Sequence, residues 1–144
     1  MKLEDIYVEW EKDSKIDPTE LGSESIRIPE LHNKYFKIFS NERLILRKYE
    51  AEMKSLKLEK YEFYTQGPTK ESQEKGWYMP ARGMILKQEM PMYMEGDREL
   101  IDMSLKIGYQ QEKIELLESI IKSLTNRGFQ IKAAIDWHRF TMGA

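Results

Sequence analysis

Between Pro29 and Tyr64 the chain contains neither glycine nor proline. Steps of three and four from Tyr35 reach Phe39, Glu42, Leu46, Tyr49, Met53, Leu56, Lys60 and Phe63, and seven of these nine positions are apolar or aromatic. That period is the signature of a helix packed along one seam. At about 1.5 Å per residue the helix would run roughly 50 Å. A chain of 144 residues cannot easily cover such an element with a separate core, so the seam demands partners of similar length.

A second segment answers it. Asp97 is a suitable N-cap, and from there Leu100, Met103, Ile107, Gln110, Ile114, Leu117, Ile121 and Leu124 repeat the same spacing, with only Gln110 polar. Ile101, Leu105, Leu116 and Ile120 widen the stripe, which suggests more than one neighbouring helix, within the chain or across subunits. Asn126 and Gly128 resemble C-capping residues, so a break is expected there. A short redirected helix carrying Phe129, Ile131, Ile135, Trp137 and Phe140 would follow. It would dock on its own chain or on a second copy.

The remaining segments are shorter. Leu3, Ile6, Tyr7 and Trp10 fit a brief amphipathic helix. Asp17-Pro18-Thr19-Glu20 reads as a helix start, Gly22-Ser23 as a loosening, and Pro29 as the first turn of the long helix. Residues 65–97 hold three of the five prolines, four of the eight glycines and five of the nine methionines. They read as a linker, with at most a short strand or helix near Met84–Met90, whose methionines suit an adaptable contact surface. The expected fold is therefore all-α: one helical domain over 1–144, divided into 1–64, a 65–97 connection and a 98–144 helix with its tail.

Chemistry is constrained mostly by what is lacking. With no cysteine there are no disulfides, thiolate metal sites or cysteine nucleophiles. His32 and His138 are the only histidines, and neither belongs to a His-Glu-x-x-His pair. No glycine-rich phosphate loop is present. A non-enzymatic protein without metal or cofactor is the expectation. No apolar run has the length of a membrane span, and MKLEDIYVEWEKD lacks the apolar core of a signal peptide, which points to a cytoplasmic protein away from membranes.

Charge is segregated. The formal net charge is −2, yet residues 34–60 hold eight cations against four acids. Arg43, Arg47, Lys54, Lys57 and Tyr61 share one helical row, with Glu50 its only acid; Lys60 and Tyr64 lie close by. Cations that follow a phosphate backbone, beside rings on which bases stack, form a single-stranded nucleic-acid surface. The same pattern also fits a solvated flank of a helical bundle.

Arg127-Gly128-Phe129-Gln130-Ile131-Lys132, followed by Asp136, Phe140 and Gly143, resembles the end of the UvsY recombination mediators of T-even-type phages. The opening Met1-Lys2-Leu3-Glu4-Asp5, then Lys12-Asp13, Ile16-Asp17 and Leu21, is similar in order and spacing, as is Glu50-Ala51 leading to Lys54 and Phe63-Tyr64. The likeness spans essentially the whole chain.

This resemblance implies a helical, non-enzymatic protein in the infected host's cytoplasm that assembles as a homo-oligomeric ring of six or seven copies. It implies binding to single-stranded DNA, displacement of the phage single-stranded-DNA-binding protein, and loading of the phage RecA-like recombinase during recombination, repair and replication. The family's basic stretch in the middle helix matches Leu56-Lys57-Leu58-Glu59-Lys60, with Glu59 among the cations. Self-assembly maps onto Leu100, Met103, Ile107, Ile114, Leu117, Ile121 and Leu124, and onto Phe129, Ile131, Ile135 and Phe140 in the tail. The competing reading is a helical phage assembly protein that does not bind DNA.

Overall fold

In a computed structural model describing residues 1–143, the chain forms α1 (Leu3–Asp13), α2 (Leu21–Gln66), α3 (Lys70–Glu74), a 3-10 turn (Lys87–Glu89), α4 (Met90–Glu95) and α5 (Arg98–Thr141), with no strand among the described residues. The all-α expectation holds. Ala144, the last residue of the expected tail, lies outside the described residues. Two compact units are formed among the described residues, one from 1–44 with 110–143 and one from 45–109, so that α2 and α5 each contribute to both.

In the first unit, α2 and α5 run antiparallel around Leu31, Tyr35, Phe39, Ile114, Leu117, Ile120 and Leu124, with Ile6 of α1 wholly buried beside them. One polar exception from each seam, Glu42 and Gln110, meet here. Gln110 donates through Nε2 to the Glu42 carboxylate at 2.6 Å and to the Glu42 carbonyl oxygen at 2.8 Å. Lys113 Nζ lies 3.3 Å from the same carboxylate, and the Met1 amino group 3.2 Å from its other oxygen. Burial pushes the Glu42 carboxyl upward, but these donors outweigh it and hold the carboxyl below its ordinary 4.5.

Asp13, at the end of α1, fastens that helix to α2. It accepts from Tyr35 Oη and Lys34 Nζ, both at 2.7 Å, and from Arg27 at 3.2 Å. Burial again raises the carboxyl, and the Lys34 and Tyr35 hydrogen bonds more than reverse it. From α5, the buried Arg127 donates to the Ser14 carbonyl oxygen at 3.1 Å and lies over the Trp10 ring.

Two helix boundaries differ from the sequence reading. The long helix begins at Leu21, and Pro29 sits inside it. Asp17 instead makes a turn, accepting from the Thr19 backbone N–H at 2.9 Å, before the helix starts. A proline inside a helix frees the carbonyl four residues earlier. Here Ser25 and Pro29 are both exposed residues, on a side of the helix open to solvent. The second difference is at Gly128, where α5 continues without a break. Leu124, Arg127 and Ile131 are all buried on one face, and this anchoring outweighs the cost of one glycine, about 1 kcal/mol relative to alanine. A Cβ built at Gly128 would meet nothing within 4 Å. The glycines that do follow the ends of long helices are Gly67, with φ +91° and its N–H bonded to the Phe63 carbonyl, and Gly143, with φ +75° and its N–H bonded to the Phe140 carbonyl.

Gly128→Ala is therefore expected to raise stability by roughly 0.5–1 kcal/mol, seen as a higher urea midpoint; a loss would restore the idea of a break. A second expectation concerns acid. Because the folded Glu42 carboxyl lies below 4.5, its stabilisation is complete above that pH and lost as pH falls through the lowered value. Urea midpoints measured from pH 7 downward should drop below that point, and less steeply in Glu42→Gln, which starts lower.

Candidate nucleic-acid interface

The second unit is built on the end of α2. Phe63, Tyr64, Trp77, Ile85 and Met90 form a buried cluster, with Leu56, Met79, Tyr93 and Met94 packed against it. The segment expected as a linker is thus folded, and its aromatic and sulfur-containing side chains are its contribution to a core. The Ile85 N–H donates to the Tyr64 carbonyl at 3.1 Å, closing the segment back onto α2.

Asp97 organises this unit. Its Oδ1 accepts from the Leu100 N–H at 3.1 Å, which makes it the N-cap of α5 as its sequence position suggests. Its Oδ2 accepts from Tyr64 Oη at 2.6 Å and lies 3.1 Å from Lys60 Nζ. Burial raises the Asp97 carboxyl, but the Tyr64 and Leu100 hydrogen bonds and Lys60 draw it below the ordinary carboxylate range. Lys60 Nζ also stands 3.5 Å from Glu99 and 3.9 Å from the centre of the Trp77 ring.

This geometry divides the expected DNA-contacting residues. Lys60 and Tyr64 are buried, 4% and 8% exposed, and engaged with Asp97, so the expectation that they face a ligand gives way to a structural role. Three to four residue spacing alone places Lys60 on the seam, and its position among apolar steps is the signal for that role. Arg47, Lys54 and Lys57 are exposed on the adjacent face of α2, and none pairs with a carboxylate among the described residues. Tyr61 is 40% exposed on the same row. Arg43, in the first unit, is exposed and lies over the Phe39 ring.

The expected assembly residues divide as well. Leu100, Ile114, Leu117, Leu124 and Ile131 are buried within the chain itself, while Met103, Ile107, Ile121 and Ile135 are half-buried. Phe129 and Phe140 are 76% and 73% exposed, and Trp137, which stacks on Phe140, is 66% exposed. No group of His, Asp or Glu among the described residues is placed to hold a metal ion, and no helix is long and apolar enough to cross a membrane.

A family model described as the recombination, repair and ssDNA-binding protein UvsY matches residues 9–144. The chain belongs to the UvsY family. Its fold is similar to crystal structures of the bacteriophage T4 recombination mediator protein UvsY. One has TM-score 0.81 at 24% identity over 99% of this chain and 98% of that one. Another lattice of the same protein gives 0.82 at 21% identity over 95% and 98%. At these identities the likeness establishes the all-α fold. No individually curated protein matches the chain.

Within this UvsY-family fold, Lys60→Ala should cost roughly 3 kcal/mol, because Asp97 would stay buried without its cation. Lys54→Ala and Lys57→Ala should each stay within about 0.5 kcal/mol of the parent. Denaturant unfolding of the three variants side by side decides whether Lys60 stands apart.

Proposed function

We propose that this chain is a recombination mediator that binds single-stranded DNA without sequence preference and helps a phage RecA-like recombinase onto DNA covered by single-stranded-DNA-binding protein. Membership of a family described by recombination, repair and single-stranded-DNA binding supports the reading. The structural observation that carries it is the row of Arg47, Lys54 and Lys57, exposed and unneutralised in a chain whose net charge is −2. Exposed cations that form no ion pair, set on one helix face of a chain whose other residues are net acidic, are what a phosphate backbone requires. Tyr61 offers a ring for stacking, and Arg43 is a further exposed cation in the first unit.

The work done is binding, not bond making. A protein that holds one conformation of the strand better than another shifts the population of that conformation by its differential affinity. One row of three cations is a weak binder. Several copies along one strand convert later contacts into intramolecular ones and multiply the affinity. Phe129, Trp137 and Phe140 supply an exposed apolar stripe for such self-association in a six- or seven-membered ring, away from membranes in the host cytoplasm. No cofactor is invoked.

Replacing Arg47, Lys54 and Lys57 together by alanine should weaken single-strand binding and flatten the slope of log K against log salt by about 2 per subunit, since each lost contact contributes about 0.7. Thermal stability should be little changed. Fluorescence anisotropy across a salt series provides the measurement, and unaltered affinity and slope would exclude this surface.

A further inference from the structure

Beside the cation row, the second unit has an open groove of about 510 Å³ that neither the core nor the ion pairs occupy. Met53 of α2, Met94 of α4, and Leu100 and Ile101 of α5 line its apolar surface, and Leu105, 63% exposed, stands at its wall. Lys57, the last cation of the row, is itself a lining residue. Only Ser104 and Glu95 add further polar groups.

We infer that this groove receives bases of the bound strand while Lys57 and Lys54 hold the phosphates attached to them. The inference rests on the single-strand-binding reading and deepens it. Charge complementarity selects the occupant. A phosphate at Lys57 places its own base within reach of the apolar lining, because backbone and base are covalently joined. Mostly apolar sites with a few convergent polar groups, in this size range, suit small planar groups. The thioethers of Met53 and Met94 are polarizable and make favourable contacts with ring faces. Ser104 and Glu95 can meet the donors on a base edge, as carboxylates do with the cytosine amine. Bases paired in a duplex are turned inward and cannot enter, so the groove gives a preference for single strands that the cations alone would not.

The test compares an oligodeoxycytidine with an abasic oligodeoxynucleotide of equal length, binding to the parent and to Leu105→Gln. That substitution alters an exposed wall and no charge; Ser104→Leu, which fills the groove, is the second variant. The parent should bind the base-bearing strand about fivefold or more tightly than the abasic one, the scale of one modest stacking contact. Both variants should erase that gap and leave abasic binding and its salt slope unchanged. Equal binding of the two strands by the parent overturns the base slot while leaving the phosphate surface standing. A gap that survives both substitutions also overturns it, since the bases then lie elsewhere. Loss of recombinase loading in the variants with unchanged binding of both strands would make the groove a protein-docking site. Failure of the parent to bind either strand removes the single-strand reading and the slot with it.

Discussion

A carboxylate taken out of water must be given donors, and in this molecule such carboxylates align the helices: Asp13 ties α1 to α2, and two others join α2 to α5. Glu42 gathers Gln110 and Lys113 from α5 in one unit. Asp97 gathers Lys60 and Tyr64 from α2 in the other. Apolar seams tolerate sliding by a turn, because leucine against isoleucine is much the same one turn along. A buried charge does not tolerate it, since the register that leaves it unpaired costs several kcal/mol. The polar residues therefore set alignment, and the apolar residues around them supply most of the burial.

The same rule sorts the basic residues of α2. A lysine pointing into the seam must be neutralised there, as Lys60 is by Asp97 and Glu99. One rotated off the seam, such as Lys54 or Lys57, keeps its charge for solvent or a ligand. Position on the helix, not residue type, decides which cation belongs to the fold and which to the surface. Ion pairing does not cancel the surplus of acids, but among the described residues no carboxylate pairs with Arg47, Lys54 or Lys57, while Glu9 and Asp13 are held by Lys34, Glu24 by Arg27 and Glu89 by Arg82.

Much of this is legible in the amino-acid sequence. The period of the long helices, the capping role of Asp97 and the family resemblance in the tail can all be read directly. Glu42, Gln110 and Lys60 stand out as the non-apolar steps of their seams, but periodicity cannot tell which non-apolar step faces a partner. Pro29 and Gly128 mislead because local propensity is only part of the balance. The burial of Arg127 and Ile131 beside Gly128 outweighs its cost of about 1 kcal/mol, and Pro29 falls on an exposed side of its helix, which the proline itself does not reveal. Residues 65–97 are the least readable, since Trp77, Ile85 and Met90 follow no period and reach the core through turns.

The two carboxylate hubs also close very different lengths of chain. Tyr64 and Asp97 are 33 residues apart, while Glu42 and Gln110 are 68 apart. Closing the shorter loop costs less chain entropy and is met sooner by diffusion. Once Tyr49 and Lys106 are in contact, Glu42 and Gln110 each lie only a turn or two of helix beyond. Closure of the 33-residue loop by Tyr64 and Asp97 shortens the chain that Glu42 and Gln110 must still close, a chain-entropy consequence of where the two hubs fall in the sequence.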